Sequence, residues 1–142
     1  MVNILVLGGT GPTGLALIRE ALARGHTVVI FARSPSKIPE DISRNPSVIV
    51  VPGSLVHEED IAKAFTQHTP EGGHLQIDAV VSALGPAVTK INPKGHPIAK
   101  GYENVIKVAN ENGVKRFIVL GTASIKDDAD KFDLRFQSLV LG

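Results

Sequence analysis

A glycine run near the start constrains this chain more than any other feature: Gly8-Gly9-Thr10-Gly11-Pro12-Thr13-Gly14. It holds the spacing G-x-G-x-x-G at Gly9, Gly11 and Gly14, and G-x-x-G-x-x-G at Gly8, Gly11 and Gly14. Such a string is weak alone; its setting gives it force. Val2 to Leu7 before it is a short β-branched and leucine run, which predicts a strand. Pro12 to Arg24 after it switches to helical spacing, with Leu15, Ile18 and Leu22 on one stripe. In that setting one glycine permits a tight turn. Gly11 lets the backbone approach a diphosphate without a Cβ in the way, and Gly14 lets the helix pack closely on the strand. Pro12 suits the first helical turn, where its missing N–H costs nothing. The N–H groups left over, together with the helix dipole, then face an anion. The alternative is a glycine-rich strand–helix turn that holds no ligand. The setting favours a dinucleotide site at Gly8, Thr10, Gly11, Pro12, Thr13 and Gly14.

The end of the second strand bears on which dinucleotide. Thr27 to Ala32 is an apolar run. NAD-binding chains usually place Asp or Glu at its end, to bond the ribose 2′-hydroxyl. Here the chain reads Phe31-Ala32-Arg33-Ser34-Pro35-Ser36-Lys37, with no acid. Arg33 can form a bidentate pair with a 2′-phosphate. Ser34 can add a hydroxyl or N–H bond, and Lys37 a second positive charge. The other reading leaves Arg33 and Lys37 as solvated loop cations. The expected cofactor is NADP(H) ahead of NAD(H).

The rest of the chain continues the alternation. Gly25 sits where a helix C-cap glycine belongs. Ser34 to Asn45 reads as a loop with at most a short helix, and Val48 to Val51 as a third strand closed by Pro52-Gly53. Glu58, Glu59 and Asp60 crowd the start of a helix, where negative charge suits the dipole. Ile61 and Phe65 give that helix a buried i, i+4 pair. His68 to Leu75 reads as a surface loop, Ile77 to Leu84 as a fourth strand ended by Gly85-Pro86, and Ala87 to Pro97 as an irregular stretch. Ile98, Tyr102, Val105, Ile106 and Ala109 repeat at helical spacing until Gly113. Phe117 to Leu120 predicts a fifth strand, followed by Gly121, and a last helix begins near Asp128. Apolar strands alternating with helices predict an α/β fold with a parallel sheet covered on both faces. Right-handed crossovers make it doubly wound. No repeat or linker divides residues 1 to 142, so one domain is expected.

Composition excludes several classes. Lys plus Arg is 15 and Asp plus Glu is 14, for a net charge of +1. A nucleic-acid binder would show a clustered basic excess. Without cysteine there are no disulfides, thiol nucleophiles or Cys-ligated metal sites. His26, His57, His68, His74 and His96 are scattered without i, i+4 ligand spacing and predict no metal site. Met1 to Leu7 is short and lacks the basic leader of a signal peptide. No run approaches the roughly 20 apolar residues of a spanning helix. A soluble, cytoplasmic protein with neither membrane nor nucleic-acid partner is expected.

Four segments carry a resemblance: Gly-Gly-Thr-Gly-Pro-Thr-Gly at 8–14, Ala-Arg-Ser-Pro-Ser-Lys at 32–37, Val-Ser-Ala-Leu-Gly at 81–85, and Gly-Val-Lys-Arg-Phe-Ile-Val-Leu-Gly-Thr at 113–122. Together they resemble the atypical short-chain dehydrogenase/reductase family, within it the NmrA-like and biliverdin/flavin reductase-like group. The resemblance spans nearly the whole chain. It implies a Rossmann fold with strand order 3-2-1-4-5 and helices on both faces, with NADPH lying across the C-terminal strand ends. It implies that Thr10 to Thr13 hold the diphosphate, and Arg33 with Ser34 the 2′-phosphate. Ala83, Leu84 and Gly85 would line the ribose and nicotinamide side, and Thr122 to Ser124 would sit near the nicotinamide. The turn after strand three, usually Gly-Asp-Leu or Gly-Asp-Val beside the adenine, reads Gly53-Ser54-Leu55, so Ser54 lacks the charged acceptor.

Two departures bear on the chemistry. The resemblance implies a Tyr-x-x-x-Lys pair after strand five in classical members, with Tyr as acid/base. This chain has Tyr102 alone, on the apolar stripe of its helix, where it reads as core. Relatives also continue for two more strands and a substrate-binding segment, which this chain, reaching only Gly142, is expected to lack. Hydride transfer belongs to the nicotinamide. Ser124 is the candidate catalytic contact, against a Ser that merely caps its turn, and Lys126 and Asp127 read as solvated charges. Three functions follow: an NADPH-dependent reductase of a small carbonyl, quinone or flavin-like substrate, an NADP(H)-sensing regulator, or a chain that keeps only nucleotide binding. A fifth strand at the sheet edge, with Leu139, Val140 and Leu141 beyond it, predicts a homodimer through that side. A final helix folded over the edge would remove that need.

Overall fold

The computed structural model describes residues 1–69, 72–85 and 97–120. Residues 87–96 of the irregular stretch expected over Ala87 to Pro97, the helix expected from Asp128, and Gly121, Thr122, Ser124, Lys126, Asp127, Leu139, Val140 and Leu141 lie outside the described residues, and Pro97 itself begins a helix. The strands are β1 Asn3–Leu7, β2 Thr27–Ala32, β3 Val48–Pro52, β4 Ala79–Ser82 and β5 Arg116–Val119. The helices are α1 Pro12–Ala23, α2 Glu40–Ser43, α3 Glu58–Phe65 and α4 Pro97–Glu111. All strand pairs are parallel, in the order β3-β2-β1-β4-β5. This is the doubly wound α/β fold and the strand order expected.

The sheet has two apolar faces because neighbouring side chains of a strand point to opposite sides. Leu5, Leu7, Val29 and Phe31 join Ile61, Phe65, Val105 and Val108 in one core cluster. Val6, Val28 and Ile30 join Ile18, Ala21, Ile38 and Ile42 in the other. Thus α3 and α4 cover one face and α1 and α2 the other, in three layers. The expected i, i+4 pair of α3 is buried: Ile61 and Phe65 are at most 2% exposed. At the end of α1, Gly25 adopts φ of +75°. Its N–H donates to the Leu22 carbonyl at 2.9 Å and the His26 N–H to the Ala21 carbonyl at 3.0 Å. This pair of bonds is the Schellman closure that only a left-handed residue permits cheaply.

Three features depart most from the sequence reading. The apolar run Ile77 to Leu84 is longer than β4, which spans Ala79–Ser82. Ile77 is buried in the core before the ladder begins, while the Asp78 carboxylate and N–H engage the Asn3 backbone. The stretch from His68 to Leu75 is not all surface. An antiparallel bridge joins His68 to His74 and carries Leu75 into the core. On α4, Val108 takes the buried place expected of Ile106, which is exposed. From Val105 the helical stripe runs on to positions three and four ahead, not one. Among the described residues, Ile118, Val119 and Leu120 at β5 are exposed, and no helix is long and apolar enough to cross a membrane.

Candidate functional site

The strand register aligns the carboxyl ends of the sheet. Leu7 is level with Phe31 and Ser82, Phe31 with Val51, and Ser82 with Val119. The chain order reverses between β1 and β4, the place where doubly wound sheets open a crevice for ligands. The glycine loop stands at this switch point. Gly8 turns the chain with φ of +75°, and a Cβ on it would lie 2.7 Å from the Ala83 carbonyl carbon. The Gly11 N–H donates to the Gly8 carbonyl at 3.2 Å, and the Leu15 N–H to the Gly11 carbonyl at 2.9 Å. Gly11 is the extended N-cap of α1 and Pro12 opens the helix, with no side chain capping it among the described residues. The first N–H groups of α1 therefore have no acceptor within the helix.

The three glycines of the motif differ in what surrounds them. A Cβ on Gly14 would drive into the Gly8 carbonyl oxygen and stand 2.9 Å from the Gly9 Cα. The close packing expected of Gly14 is thus against the loop backbone. A Cβ on Gly9 would meet Ile30 at 2.8 Å and Ile18 at 3.0 Å. At Gly11 the one neighbour within 4 Å among the described residues is the Gly8 carbonyl oxygen, at 3.7 Å. Thr10 is half-buried beside it, and Pro12 and Thr13 are exposed.

The next two strand ends complete one flank. Arg33 follows β2 directly, is exposed, and joins none of the ion pairs among the described residues. The Ser34 carbonyl accepts from the Lys37 N–H at 3.1 Å, closing the single turn Pro35–Lys37. Gly53 bonds back to the Ala32 carbonyl at 3.2 Å, so Ser54 and Leu55 lie beside Arg33 along the edge. A carboxylate does stand at this turn, but from α3. Asp60 accepts from the Ser54 N–H at 3.1 Å and from Lys63 at 2.8 Å. Lys63, and after it the Ser54 N–H, hold the Asp60 carboxyl below its ordinary 3.8. Its hold on the turn is then complete above that value and fades as pH falls through the lower folded one. In an acid titration the Ser54 amide resonance should keep its bonded shift until below pH 3.8. Asp60→Asn should abolish the transition.

The other flank is the end of β4. The Ala83 N–H donates to the Leu7 carbonyl at 3.0 Å, and the Leu84 N–H to Ser82 Oγ at 3.2 Å. Ser82 is 2% exposed, and its hydroxyl pairs with the Tyr102 hydroxyl at 2.8 Å. The Tyr102 ring packs edge-on to Phe117 at 6.0 Å; it is half-buried and lies against the core cluster rather than inside it, because its hydroxyl reaches Ser82 at the strand end. Gly85 is exposed, and among the described residues nothing lies within 4 Å of where a Cβ would be. Sequence reasoning missed Ser82. The available signal was a lone hydroxyl in an apolar strand, since a buried polar group needs a partner, and one tyrosine to supply it.

The NAD(P)H-binding family matches residues 8–141. The chain belongs to the NAD(P)H-binding family. Among curated members of its wider group, the 3-beta-hydroxysteroid dehydrogenase of Mycolicibacterium neoaurum is 28% identical over 131 residues, 87% of this chain and 32% of that one. The photosystem II assembly factor Ycf39 of Synechocystis sp. is 28% identical over 117 residues, 82% of this chain and 32% of that one. This NAD(P)H-binding chain therefore spans about a third of the length of these curated relatives. A short-chain dehydrogenase/reductase from Veillonella parvula superposes with a TM-score of 0.74 at 15% identity, over 99% of this chain and 55% of that one. That likeness is one of fold. The resemblance to the short-chain dehydrogenase/reductase group, with its Rossmann fold, holds. Of the residues expected in the nucleotide site, the fold brings Gly8, Thr10, Gly11, Pro12, Thr13, Gly14, Arg33, Ser34, Ser54, Leu55, Ala83, Leu84 and Gly85 to one edge.

Proposed function

We propose that this chain takes NADP(H) along the carboxyl edge of its sheet, as the nucleotide-binding part of an NADPH-dependent reductase of a small carbonyl, quinone or flavin-like substrate. Arg33 carries the cofactor reading. It occupies the position where NAD-binding chains carry an acid, exposed and in no ion pair among the described residues. Its guanidinium suits two oxygens of a 2′-phosphate, with Ser34 and Lys37 adding a donor and a charge. The residues fit such a group: among the described residues, Gly11 leaves open the space that a Cβ would fill, and the first N–H groups of α1 have no acceptor within the helix and face a diphosphate. The diphosphate falls to Gly8, Thr10, Gly11, Pro12, Thr13 and Gly14, the adenine to Ser54 and Leu55, and the nicotinamide side to Ala83, Leu84 and Gly85. By the family resemblance, Thr122 and the catalytic contact Ser124 complete it. When bound, the nicotinamide supplies the hydride. The chain's part is to hold the diphosphate on backbone N–H groups and to orient the two ends.

The dehydrogenase named among the relatives supports an oxidoreductase. A second reading is a regulator that senses NADP(H). It is favoured by the single tyrosine, whose hydroxyl is engaged by Ser82. Calorimetry on Arg33→Ala tests the cofactor. The loss should be about 1.5–3 kcal/mol for NADPH, the scale of a charged hydrogen bond, and near zero for NADH. Equal losses overturn the 2′-phosphate assignment. NADPH oxidation against carbonyls, quinones and flavins then separates reductase from regulator.

A further inference from the structure

We infer that Asn104 is a positioning residue for the adenosine end of the site, an inference that rests on the NADP(H) reading. Asn104 Nδ2 donates to the Leu55 carbonyl at 2.8 Å and reaches the Val56 carbonyl at 3.4 Å. Both acceptors belong to the loop between β3 and α3, which holds Ser54 and Leu55. Three residues earlier on α4, Gly101 lets that loop come close: a Cβ there would stand 2.9 Å from the Leu55 Cβ. Three residues later, Lys107 pairs with Glu58, at the start of α3, at 2.6 Å. Positions three apart share one side of a helix, so α4 meets the loop along a line of three contacts.

The three contacts differ in weight. The Lys107–Glu58 pair is exposed, and pairs of that kind contribute little. Gly101 removes an obstacle and adds no bond. The Asn104 amide is the directional link: its two bonds join residues 49 and 48 positions away in sequence. The opposite flank hangs on a different residue of the same helix, through Tyr102, Ser82 and the Leu84 N–H. Asn104 therefore sets the adenosine side while leaving the nicotinamide side to Tyr102.

Two fragments separate these ends. Adenosine 2′,5′-bisphosphate carries the adenine and the 2′-phosphate; reduced nicotinamide mononucleotide carries the other end. Asn104→Asp keeps the shape and removes the N–H donors. It should weaken bisphosphate binding about 10-fold, the scale of one or two hydrogen bonds, and leave the mononucleotide unchanged. Tyr102→Phe should leave the bisphosphate unchanged. Asn104→Ala serves if the Asp variant fails to fold, and thermal melts accompany both. Unchanged bisphosphate affinity in a folded variant, or equal weakening of both fragments, overturns the inference. If the wild-type chain does not take the bisphosphate, the NADP(H) reading falls. Hydrogen exchange then decides the loop's anchorage: the Ser54 and His57 amides should exchange about 10-fold faster in the variant, and equal rates overturn it.

Discussion

Gly14→Ala should lower stability by about 3–5 kcal/mol, at the upper end for a single overpacking substitution. The added methyl would drive into the Gly8 carbonyl oxygen and lie 2.9 Å from both the Gly8 carbonyl carbon and the Gly9 Cα. These are backbone atoms, so no rotamer change relieves the clash. The loop itself cannot retreat far. A Cβ on Gly8 would already touch the Ala83 backbone at 2.7 Å, and the Ala83 N–H is bonded to the Leu7 carbonyl at 3.0 Å. Relief must come from α1, whose Ile18 and Ala21 are buried in the core. Alanine's higher helix propensity returns only about 1 kcal/mol. Urea unfolding followed by circular dichroism measures the loss, with Gly11→Ala as the control, expected within about 1 kcal/mol of wild type because it loses only a favourable N-cap residue. A Gly14→Ala midpoint equal to wild type would mean that α1 does not rest on the loop.

What the sequence reveals and what it hides divide along a physical line. The runs Val2 to Leu7 and Thr27 to Ala32 read as strands because both faces of a central parallel strand are apolar. Gly25 and Gly113 announce helix ends by the left-handed φ they adopt, +75° and +73°. The placement of the candidate-site segments at one sheet edge is legible for a related reason. Each follows a strand, and a parallel sheet brings all those ends to one edge, so Gly8, Arg33, Ser54 and Ala83 needed no knowledge of packing. Ser82 with Tyr102, Asp60 with Ser54, and Asn104 with Leu55 were not legible. Two of these pairs join residues 20 and 49 positions apart, and they depend on the angle at which α4 lies on the sheet. No local pattern encodes that angle. The same limit explains Ile106. It continues the apolar spacing of α4, yet the helix is rotated so that Val108 enters the core instead.

Gly11→Val should leave the fold standing and lower NADPH affinity by about 1,000-fold, close to 4 kcal/mol. Gly11 has φ of −87° and ψ of 163°, extended backbone that a β-branched residue adopts without strain. The Gly8 carbonyl oxygen at 3.7 Å is an ordinary contact for the new Cβ, and the Gly11 N–H keeps its bond to that carbonyl. The loss of a favourable N-cap residue costs about 1 kcal/mol at most. The valine methyls instead fill the space in front of the first α1 N–H groups, where a diphosphate must come within hydrogen-bond distance of backbone. A phosphate cannot shift aside without leaving those donors, so the steric cost falls on binding rather than on folding. Gly14→Ala and Gly11→Val are therefore opposite probes three residues apart, one acting on the fold and the other on the ligand. Fluorescence titration with NADPH, beside thermal melts of the same samples, reads both quantities. Wild-type affinity in a folded Gly11→Val would mean that the diphosphate does not approach this loop.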